Sequence, residues 1–428
     1  MDRFFAITAR GTSIRTELLA GLTTFLTMAY IVIVNPGILA ASGIDHGAAF
    51  TATCLAAAIG TAAMGLLANY PIALAPGMGL NAYFAFSVVQ GMGVPWQVAL
   101  GAVFLSGVLF FAVSVLRIRE WLINAIPLSL KLGIAAGIGF FLGLIGLQGM
   151  GIVADNPATL VGLGALGKPS TLLACAGFVL IAGLSAREVP GAIVIGILAT
   201  AAAGIPFGLT SFQGVAAAPP SLAPTFLQMD LAGALGLGVL GIVFTFFLVD
   251  LLDNAGTLIA TTHRAGLMRP DGTVPRLREA LIADSGGAML GAVLGTSTTT
   301  SYIESASGIQ AGGRTGLAAL TVAALFLLTL FLAPLATSIP GFASAPALAF
   351  VACLMAQALR SVDWDDVTEY LPAIVVALAM PFTFSIATGI GLGFIVHALV
   401  KAIAGRAGDV SAAVWVIAAA SAIKFALA

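Results

Sequence analysis

Charged residues are scarce in this chain of 428 residues: Asp, Glu, Lys and Arg together make up 8% of it, whereas hydrophobic residues make up 60%. Soluble globular proteins contain about 25% charged residues. The composition therefore excludes a soluble domain and indicates a protein that crosses a lipid bilayer many times. The net charge of −1 provides no basic face, so we expect no nucleic-acid partner.

Cysteine is also rare. Cys54, Cys175 and Cys353 lie in apolar runs at unrelated spacings, which argues against a disulfide framework or a metal site and predicts small core residues. The sequence contains neither an HExxH motif nor a P-loop, so metalloenzymes and ATPases have no support. We expect a protein that is not an enzyme and that needs no cofactor or metal.

The long apolar runs predict an all-α membrane protein with 14 transmembrane segments, because about 20 apolar residues cross a bilayer. The predicted spans lie near residues 17–40, 48–69, 74–92, 97–116, 128–153, 170–186, 189–207, 233–260, 279–295, 298–312, 315–338, 344–360, 371–385 and 387–404. The apolar segment 410–427 is interrupted by Lys424. We expect it to pack at the membrane interface or against the helix bundle.

The basic residues favour this number of spans and indicate an orientation. Eleven of the 17 Lys and Arg residues follow or close an even-numbered span, and they are Arg117, Arg119, Arg187, Arg264, Arg269, Arg276, Arg278, Arg314, Arg360, Lys401 and Arg406. Lys168, by contrast, is expected on the outside. Cytoplasmic loops are enriched in Lys and Arg, and the long connection at 208–230 contains neither. We therefore expect a multi-pass protein of the plasma (inner) membrane with both termini in the cytoplasm.

The two halves of the chain show weak internal similarity. A single offset aligns Phe25 with Phe244, Asn35 with Asn254 and Leu39 with Leu258. Seven spans per half is an odd number, so the second half must enter the membrane from the opposite side. The sequence thus predicts a 7+7 inverted repeat, an architecture in which secondary transporters bind substrate near the midplane between interrupted helices.

Two of the predicted spans contain sequence that does not favour a continuous helix. Residues 71–84, PIALAPGMGLNAYF, have two prolines and two glycines within nine residues, which a helix does not tolerate. Residues 296–301 are six consecutive hydroxyl residues, followed by Glu304, and such residues favour extended backbone or helix caps. We predict a short extended stretch before a half-helix in spans 3 and 10, with the two half-helices directed at one point.

Four acids, Asp250, Asp253, Asp284 and Glu304, lie in apolar stretches without Lys or Arg. A carboxylate at bilayer depth costs roughly 2.5–3.5 kcal/mol on insertion scales, so these acids must be protonated, hydrated or in contact with a ligand. Asp250 and Asp253 are three residues apart and are expected on one helix face. Two carboxylates that close in a low dielectric do not both ionise readily, so one of them should hold a proton. Two alternatives stay open, namely Asp253 at the cytoplasmic interface and Asp284 as an acid at a helix start near the inner surface.

At these residues the sequence resembles the AzgA-like purine permeases of the nucleobase–ascorbate transporter family. The similar segments are YIVIVNPGIL at 30–39, APGMGLNAYF at 75–84, VDLLDNAGTL at 249–258 and GTSTTTSYIES at 295–305. The resemblance implies proton-coupled uptake of adenine, guanine or hypoxanthine through an elevator-like motion. It also implies a core domain and a gate domain that forms a homodimer, with the core at 1–118 and 230–340 and the gate at 119–229 and 341–428.

The resemblance also implies roles for individual residues. By position, Asn81, Asp250 and Glu304 correspond to the family's substrate contacts, and Asp253 corresponds to an acid needed for transport. A carboxylate accepts hydrogen bonds from the N–H groups of a purine edge, and an Asn side chain offers both a donor and an acceptor. The full predicted substrate site is Asn81, Asp250, Glu304, Gly79, Thr300 and Tyr302, and the predicted proton path is Asp253, Asp250 and Asp284.

Three alternative functions stay open: a channel, an anion exchanger or other small-solute exchanger on the same fold, and a membrane-embedded hydrolase. Acids inside broken helices suit an occluded site better than an open pore. An anion exchanger should have a basic residue where the half-helices meet, and a hydrolase needs a nucleophile beside a base; neither is evident in the sequence.

Overall fold

The computed structural model describes residues 2–116, 125–269 and 274–427. Arg117, Arg119 and the expected domain boundary at 118–119 lie outside the described residues.

The described part of the chain is mostly helical. In the first half the elements are α1 (Asp2–Phe5), α2 (Ile14–Met28), α3 (Ile31–Ala40), α4 (His46–Ala63), β1 (Leu74–Pro76), α5 (Met78–Ala82), α6 (Trp96–Val115), α7 (Leu128–Gly149), β2 (Val153–Asn156), β3 (Leu160–Leu163), α8 (Pro169–Ala186) and α9 (Ala192–Gly204). In the second half they are α10 (Leu231–Ala234), α11 (Leu237–Arg264), α12 (Leu277–Leu294), β4 (Thr299–Ser301), α13 (Ser305–Gln310), α14 (Gly316–Thr329), α15 (Ala333–Thr337), α16 (Gly341–Ala356), α17 (Val367–Thr383), α18 (Ile386–Ile403) and α19 (Ala412–Leu427). Short π-helical segments, Met64–Ala68 and Tyr83–Gly91, extend α4 and α5.

Nine helical segments of the described chain are long and apolar enough to cross a membrane, and three apolar helices are shorter. Each of the 14 predicted spans coincides with at least one of the helices above. The first is a single apolar segment, Ile14–Ala40, in which helical hydrogen bonding is irregular at Ala29–Tyr30 although both residues keep right-handed helical angles. The number of membrane crossings and the inverted repeat stay predictions.

The chain divides into two compact units. Unit 1 comprises Met1–Val115 and Gln148–Ala347, and unit 2 comprises Leu116–Leu147 and Leu348–Ala428.

Small residues allow the helices of unit 1 to pack closely, as expected for helices in lipid. A Cβ on Gly65 would lie 2.7 Å from the carbonyl oxygen of Gly316, and one on Gly21 would lie 2.6 Å from that of Ala318. Gly21 lies in α2 and Gly65 just after α4, so these two parts of unit 1 approach α14 closely. Large buried side chains, including Phe50 and Phe326, fill the space between these helices.

In unit 2, α17 and α18 pack along each other, and α19 packs against α18. A Cβ on Gly391 would lie 2.9 Å from the ring of Phe425, so the C-terminal apolar helix packs against the bundle as expected.

The predicted core role of the cysteines is confirmed for Cys54, which is buried, but is wrong for Cys353, which is exposed. Cys175 is half-buried.

A candidate substrate site at two paired strands

The extended stretches predicted in spans 3 and 10 are present, and they pair with each other. Strands β1 and β4 run antiparallel in the register Leu74–Ser301, Ala75–Thr300 and Pro76–Thr299. Two further backbone hydrogen bonds continue the pairing, from Gly77 N to Thr298 O at 2.8 Å and from Tyr302 N to Ala73 O at 2.9 Å. Both strands are fully buried in unit 1. Non-helical backbone at this depth is tolerated because each strand supplies the hydrogen-bond partners of the other.

Glycines let the helices and strands approach each other at this point. A Cβ on Gly77 would lie 2.8 Å from Cγ2 of Thr300, and one on Gly291 of α12 would lie 2.7 Å from the carbonyl oxygen of Ser297. Contacts this short require a neighbour to move, so the glycines between β1 and α5 and on α12 are needed for close packing around the strand pair.

The half-helices begin directly after the strands. Helix α5 starts at Met78, and Asn81 lies within it, near the start as predicted. Gly79 is half-buried, and its carbonyl accepts a hydrogen bond from Tyr83 N. Helix α13 starts at Ser305 and is immediately preceded by Glu304.

Asp250 and Asp284 belong to one buried hydrogen-bond network that includes strand β4. The Asn254 amide donates to Asp250 Oδ1 at 2.9 Å, and Asn254 Oδ1 accepts from the backbone N–H of Ser301 at 3.2 Å. The Ser301 hydroxyl in turn donates to Asp284 Oδ1 at 2.7 Å. The last residue of β4 thus links an acid of α11 to an acid of α12.

Several buried polar atoms beside this network have no hydrogen-bond partner among the described residues. They include both amide atoms of Asn81, Asp250 Oδ2 and the hydroxyl of Thr300. Helix α5 and strand β4 both pack against α11, and Thr300 is the hydroxyl neighbour of Asp250. Native structures leave few buried polar groups unsatisfied, so these atoms form a site that a polar ligand or water can satisfy.

Glu304 has a different partner, which the sequence did not suggest. The hydroxyl of Tyr30, between α2 and α3, donates to Glu304 Oε1 at 2.9 Å. Glu304 is half-buried, and Asp253 is the acidic group within electrostatic reach of it. The hydrogen bonds of the described residues therefore place Glu304 with Tyr30 and Asp250 with Asn254.

Asp250 and Asp253 do not share one environment. Both lie on the continuous helix α11, but Asp250 is fully buried whereas Asp253 is exposed. The two carboxylates stay within electrostatic reach of each other, but residues three apart on a helix differ by about 60° in direction, and Asp253 lies on the exposed side of the shared face. The buried neighbour of Asp250 is Asn254, one turn further along. Helix α11 continues to Arg264, so Asp253 does not lie at a helix end.

The two tyrosines considered for base stacking are held by the protein. The Tyr302 hydroxyl donates to the carbonyl oxygen of Pro76 at 2.5 Å, which fastens α13 to β1. Tyr83 is buried, and its ring meets that of Phe246 edge to face with centroids 5.0 Å apart.

Two asparagines that the predicted internal repeat aligns both form hydrogen bonds with the hydroxyl-rich segment at 296–301. Asn35 donates to the hydroxyls of Thr53 at 2.8 Å and Thr296 at 3.0 Å, and Asn254 binds Ser301 as described above. The sequence offset that aligns these asparagines did not indicate a role for either of them. Their common position in the two halves was the signal that identified them, whereas no comparable signal marked Tyr30.

The fold occurs in a solved membrane-protein structure. The transmembrane domain of a cyanobacterium bicarbonate transporter BicA is similar to this chain with a TM-score of 0.67 and 18% sequence identity, over 87% of this chain and 96% of that one. At this identity the likeness establishes the fold alone.

Sequence comparison identifies the family. The chain belongs to the Permease family, whose model matches residues 15–392. It is 48% identical to the adenine permease AdeP of Escherichia coli over 98% of this chain and 94% of that protein. It is 47% identical to the guanine/hypoxanthine permease PbuG of Bacillus subtilis over 96% of each.

Proposed function

We propose that this protein transports purine nucleobases across the plasma membrane by proton symport. Asn81 of α5 and Asp250 of α11, together with Thr300 of β4, form the centre of the substrate site. The observation on which the proposal chiefly depends is that these buried side chains offer unsatisfied donors and acceptors beside the strand pair. The names of the relatives, adenine permease and guanine/hypoxanthine permease, support a purine as the ligand.

The chemistry of the site fits a purine edge. Asp250 Oδ2 accepts an N–H of the base, and the Asn81 amide supplies one donor and one acceptor to adjacent ring positions. Charge-assisted hydrogen bonds of this type are stronger than neutral ones. Gly79 allows the base to approach the first turn of α5, and Glu304 with Tyr302 completes the site on the side of α13.

Protons are proposed to enter through the acids. Asp253 is exposed and Asp250 is buried on the same helix, so we propose that Asp253 receives the proton first and that Asp250 and Asp284 of the network carry it further.

An anion exchanger is the second candidate, and the shared fold with a bicarbonate transporter favours it. The acids at 250, 284 and 304 and the absence of Lys and Arg from 75–84, 249–258 and 295–305 disfavour an anionic substrate.

The remaining proposals concern the whole chain. We propose 14 spans in an inverted repeat with cytoplasmic termini, and an elevator-like motion of a core domain against a gate domain that dimerises. The distribution of Arg and Lys supports the orientation, and labelling of introduced cysteines from either side of the membrane tests it.

Uptake by purified protein in proteoliposomes tests the proposed function. Labelled hypoxanthine, guanine or adenine should accumulate under an inward proton gradient, without sodium, and a protonophore should abolish accumulation. Competition among these bases, xanthine and uracil identifies the substrate. Asp253→Asn should bind the base within a few-fold of wild type but should not accumulate it. Sodium-dependent uptake that ignores the proton gradient would contradict the symport mechanism, and failure to bind any purine would contradict the substrate class.

A further inference from the structure

Unit 2 contains a buried polar cluster that the proposed transport site does not use. Glu369, near the start of α17, accepts a hydrogen bond at each carboxylate oxygen. Ser129 Oγ of α7 donates to Oε2 at 2.5 Å, and Lys401 Nζ of α18 donates to Oε1 at 2.6 Å. Lys401 is 2% exposed. The hydrogen bond from Ser129 joins the first chain segment of unit 2 to the second.

His397 lies one turn before Lys401 on α18, in the same cluster. Its side chain is 1% exposed, and neither Nδ1 nor Nε2 has a hydrogen-bond partner among the residues that the structure describes. A neutral imidazole has one N–H donor and one nitrogen acceptor. A buried imidazole with neither nitrogen hydrogen-bonded is unfavourable. An arrangement that gives His397 a hydrogen-bond partner would therefore lower the free energy of the folded protein.

The charged groups around His397 define that partner. Glu369 from α17 and Lys401 from its own helix are the charges that act on it, and α7 contributes the Ser129 hydroxyl. On the adjacent helix α19 the charged residue is Lys424, which is exposed. Beyond this cluster, at the start of α17, the hydrogen bond from Arg406 lowers the pKa of the Asp366 carboxyl. That surface acid stays ionised and paired, so Glu369 is the acceptor available to His397.

We propose that His397 is a proton-binding site that controls the link between α7 and α17. When the imidazole takes up a proton, both ring nitrogens become donors, and one of them competes with the Ser129 hydroxyl for Glu369 Oε2. Lys401 keeps Oε1, so the carboxylate then lies between two cations. Where the imidazolium takes that position, the hydrogen bond between α7 and α17 is lost. The end of α7 at Ser129 then separates from the start of α17 more easily, while the close approach of Gly133 to Ala373 holds the two helices together further along.

The titration range of histidine makes this change measurable. Histidine ordinarily changes charge between pH 5 and pH 8, and burial disfavours the charged form, so we expect His397 to take up its proton at the acid end of this range. The inference does not depend on the proposed substrate, because the structural change in unit 2 is observable without any ligand.

Distance measurement between two spin labels tests the proposal in the full-length protein. Leu128 at the start of α7 and Val367 at the start of α17 are exposed, so both accept a label after Cys54, Cys175 and Cys353 are replaced by Ser. Pulsed electron paramagnetic resonance should give one distance at pH 8. At pH 5 it should give an additional, longer distance that accounts for a substantial fraction of the molecules.

Variants at three positions distinguish this mechanism from a general effect of acid. His397→Gln, which cannot be protonated, should give the shorter distance at both pH values, and His397→Asn serves as its replacement if it folds poorly. His46→Gln, a control at another histidine, should behave as wild type. Ser129→Ala should show the longer distance already at pH 8.

Any of three results would overturn the proposal. These are a wild-type distance that is the same at pH 8 and pH 5, a pH-dependent change that persists in His397→Gln, and a Ser129→Ala distance equal to that of wild type at pH 8.

Discussion

The two units of this protein bury carboxylates in different ways. In unit 2, both oxygens of Glu369 accept hydrogen bonds from the protein, one of them from Lys401. In unit 1, Asp250 accepts one hydrogen bond from Asn254, its second oxygen has no partner, and it forms no ion pair within the described residues. A carboxylate that the protein satisfies stabilises the fold, whereas one with an unsatisfied oxygen is available to a ligand.

The same contrast occurs between two buried asparagines of unit 1. Asn69 donates to Phe5 O at 2.9 Å and accepts from Gly316 N at 2.7 Å. Asn81 has no hydrogen-bond partner for either side-chain atom among the described residues. Residue type and burial alone therefore do not distinguish a structural asparagine from a ligand-binding one; the hydrogen-bond partners do.

The largest expected effect is on purine affinity in Asp250→Asn. If the substituted amide directs its N–H toward the base, two donors meet and the charge-assisted bond is lost. The expected cost is about 2–4 kcal/mol, or roughly 30- to 1000-fold in Kd. Calorimetric titration of the purified protein with the transported purine measures it.

A matched control for Asp250→Asn is Glu17→Gln. Glu17 is another fully buried acid of unit 1, but its oxygens accept from Arg314 N at 2.8 Å and Thr315 N at 3.2 Å at the start of α14. Its substitution should lower the melting temperature and leave Kd unchanged. Wild-type affinity in Asp250→Asn would remove that residue from the substrate site.

A smaller effect on affinity is expected for Asn81→Ala, by about 10- to 100-fold, because a neutral donor and acceptor are lost together. Its melting temperature should not fall, since no hydrogen bond within the described residues is broken. Asn69→Ala should show the reverse, with reduced stability and unchanged affinity. Calorimetric binding and thermal melting of both variants separate the two roles, and reduced stability without reduced binding in Asn81→Ala would contradict the assignment.

The sequence predicted the local features of the site better than their mutual arrangement. Residues 71–84 and 295–305 gave the extended stretches, because prolines, glycines and β-branched residues act on the backbone nearby. The pairing of Leu74 with Ser301 joins residues far apart in the chain, and no local preference determines that register. The hydrogen bond of Tyr30 to Glu304 is likewise a product of packing between distant helices.

The direction of side chains around a helix was also beyond local prediction. A spacing of three residues places Asp250 and Asp253 on the same broad face of α11, but the boundary between buried and exposed surface passes between them. That boundary depends on where neighbouring elements pack against α11. The sequence therefore singled out both acids, whereas their separate environments required the structure.

The smallest effect on the proposed substrate site is expected for Lys401→Met. This variant tests whether Glu369 of unit 2, unlike Asp250 of unit 1, serves stability and not ligand binding. Glu369 would lose its cation and keep only Ser129, so stability should fall. Removing one partner of a fully buried ion pair costs about 3–5 kcal/mol. The Glu369 side chain is 25% exposed and water screens part of its charge, so we expect about 1–3 kcal/mol. Thermal melting measures the loss, and the Kd for the purine should stay within about two-fold of wild type.

The double variant Lys401→Met with Glu369→Leu decides whether Lys401 matters through its charge or its packing. Replacing both partners of a buried pair with apolar groups is often neutral, so the double variant should recover most of the stability lost in Lys401→Met. A double variant no more stable than the single one would show that the packing of the Lys401 side chain, and not its pairing with Glu369, stabilises unit 2. In that case the hydrogen bonds to Glu369 would not stabilise the fold, and the contrast with Asp250 would not hold.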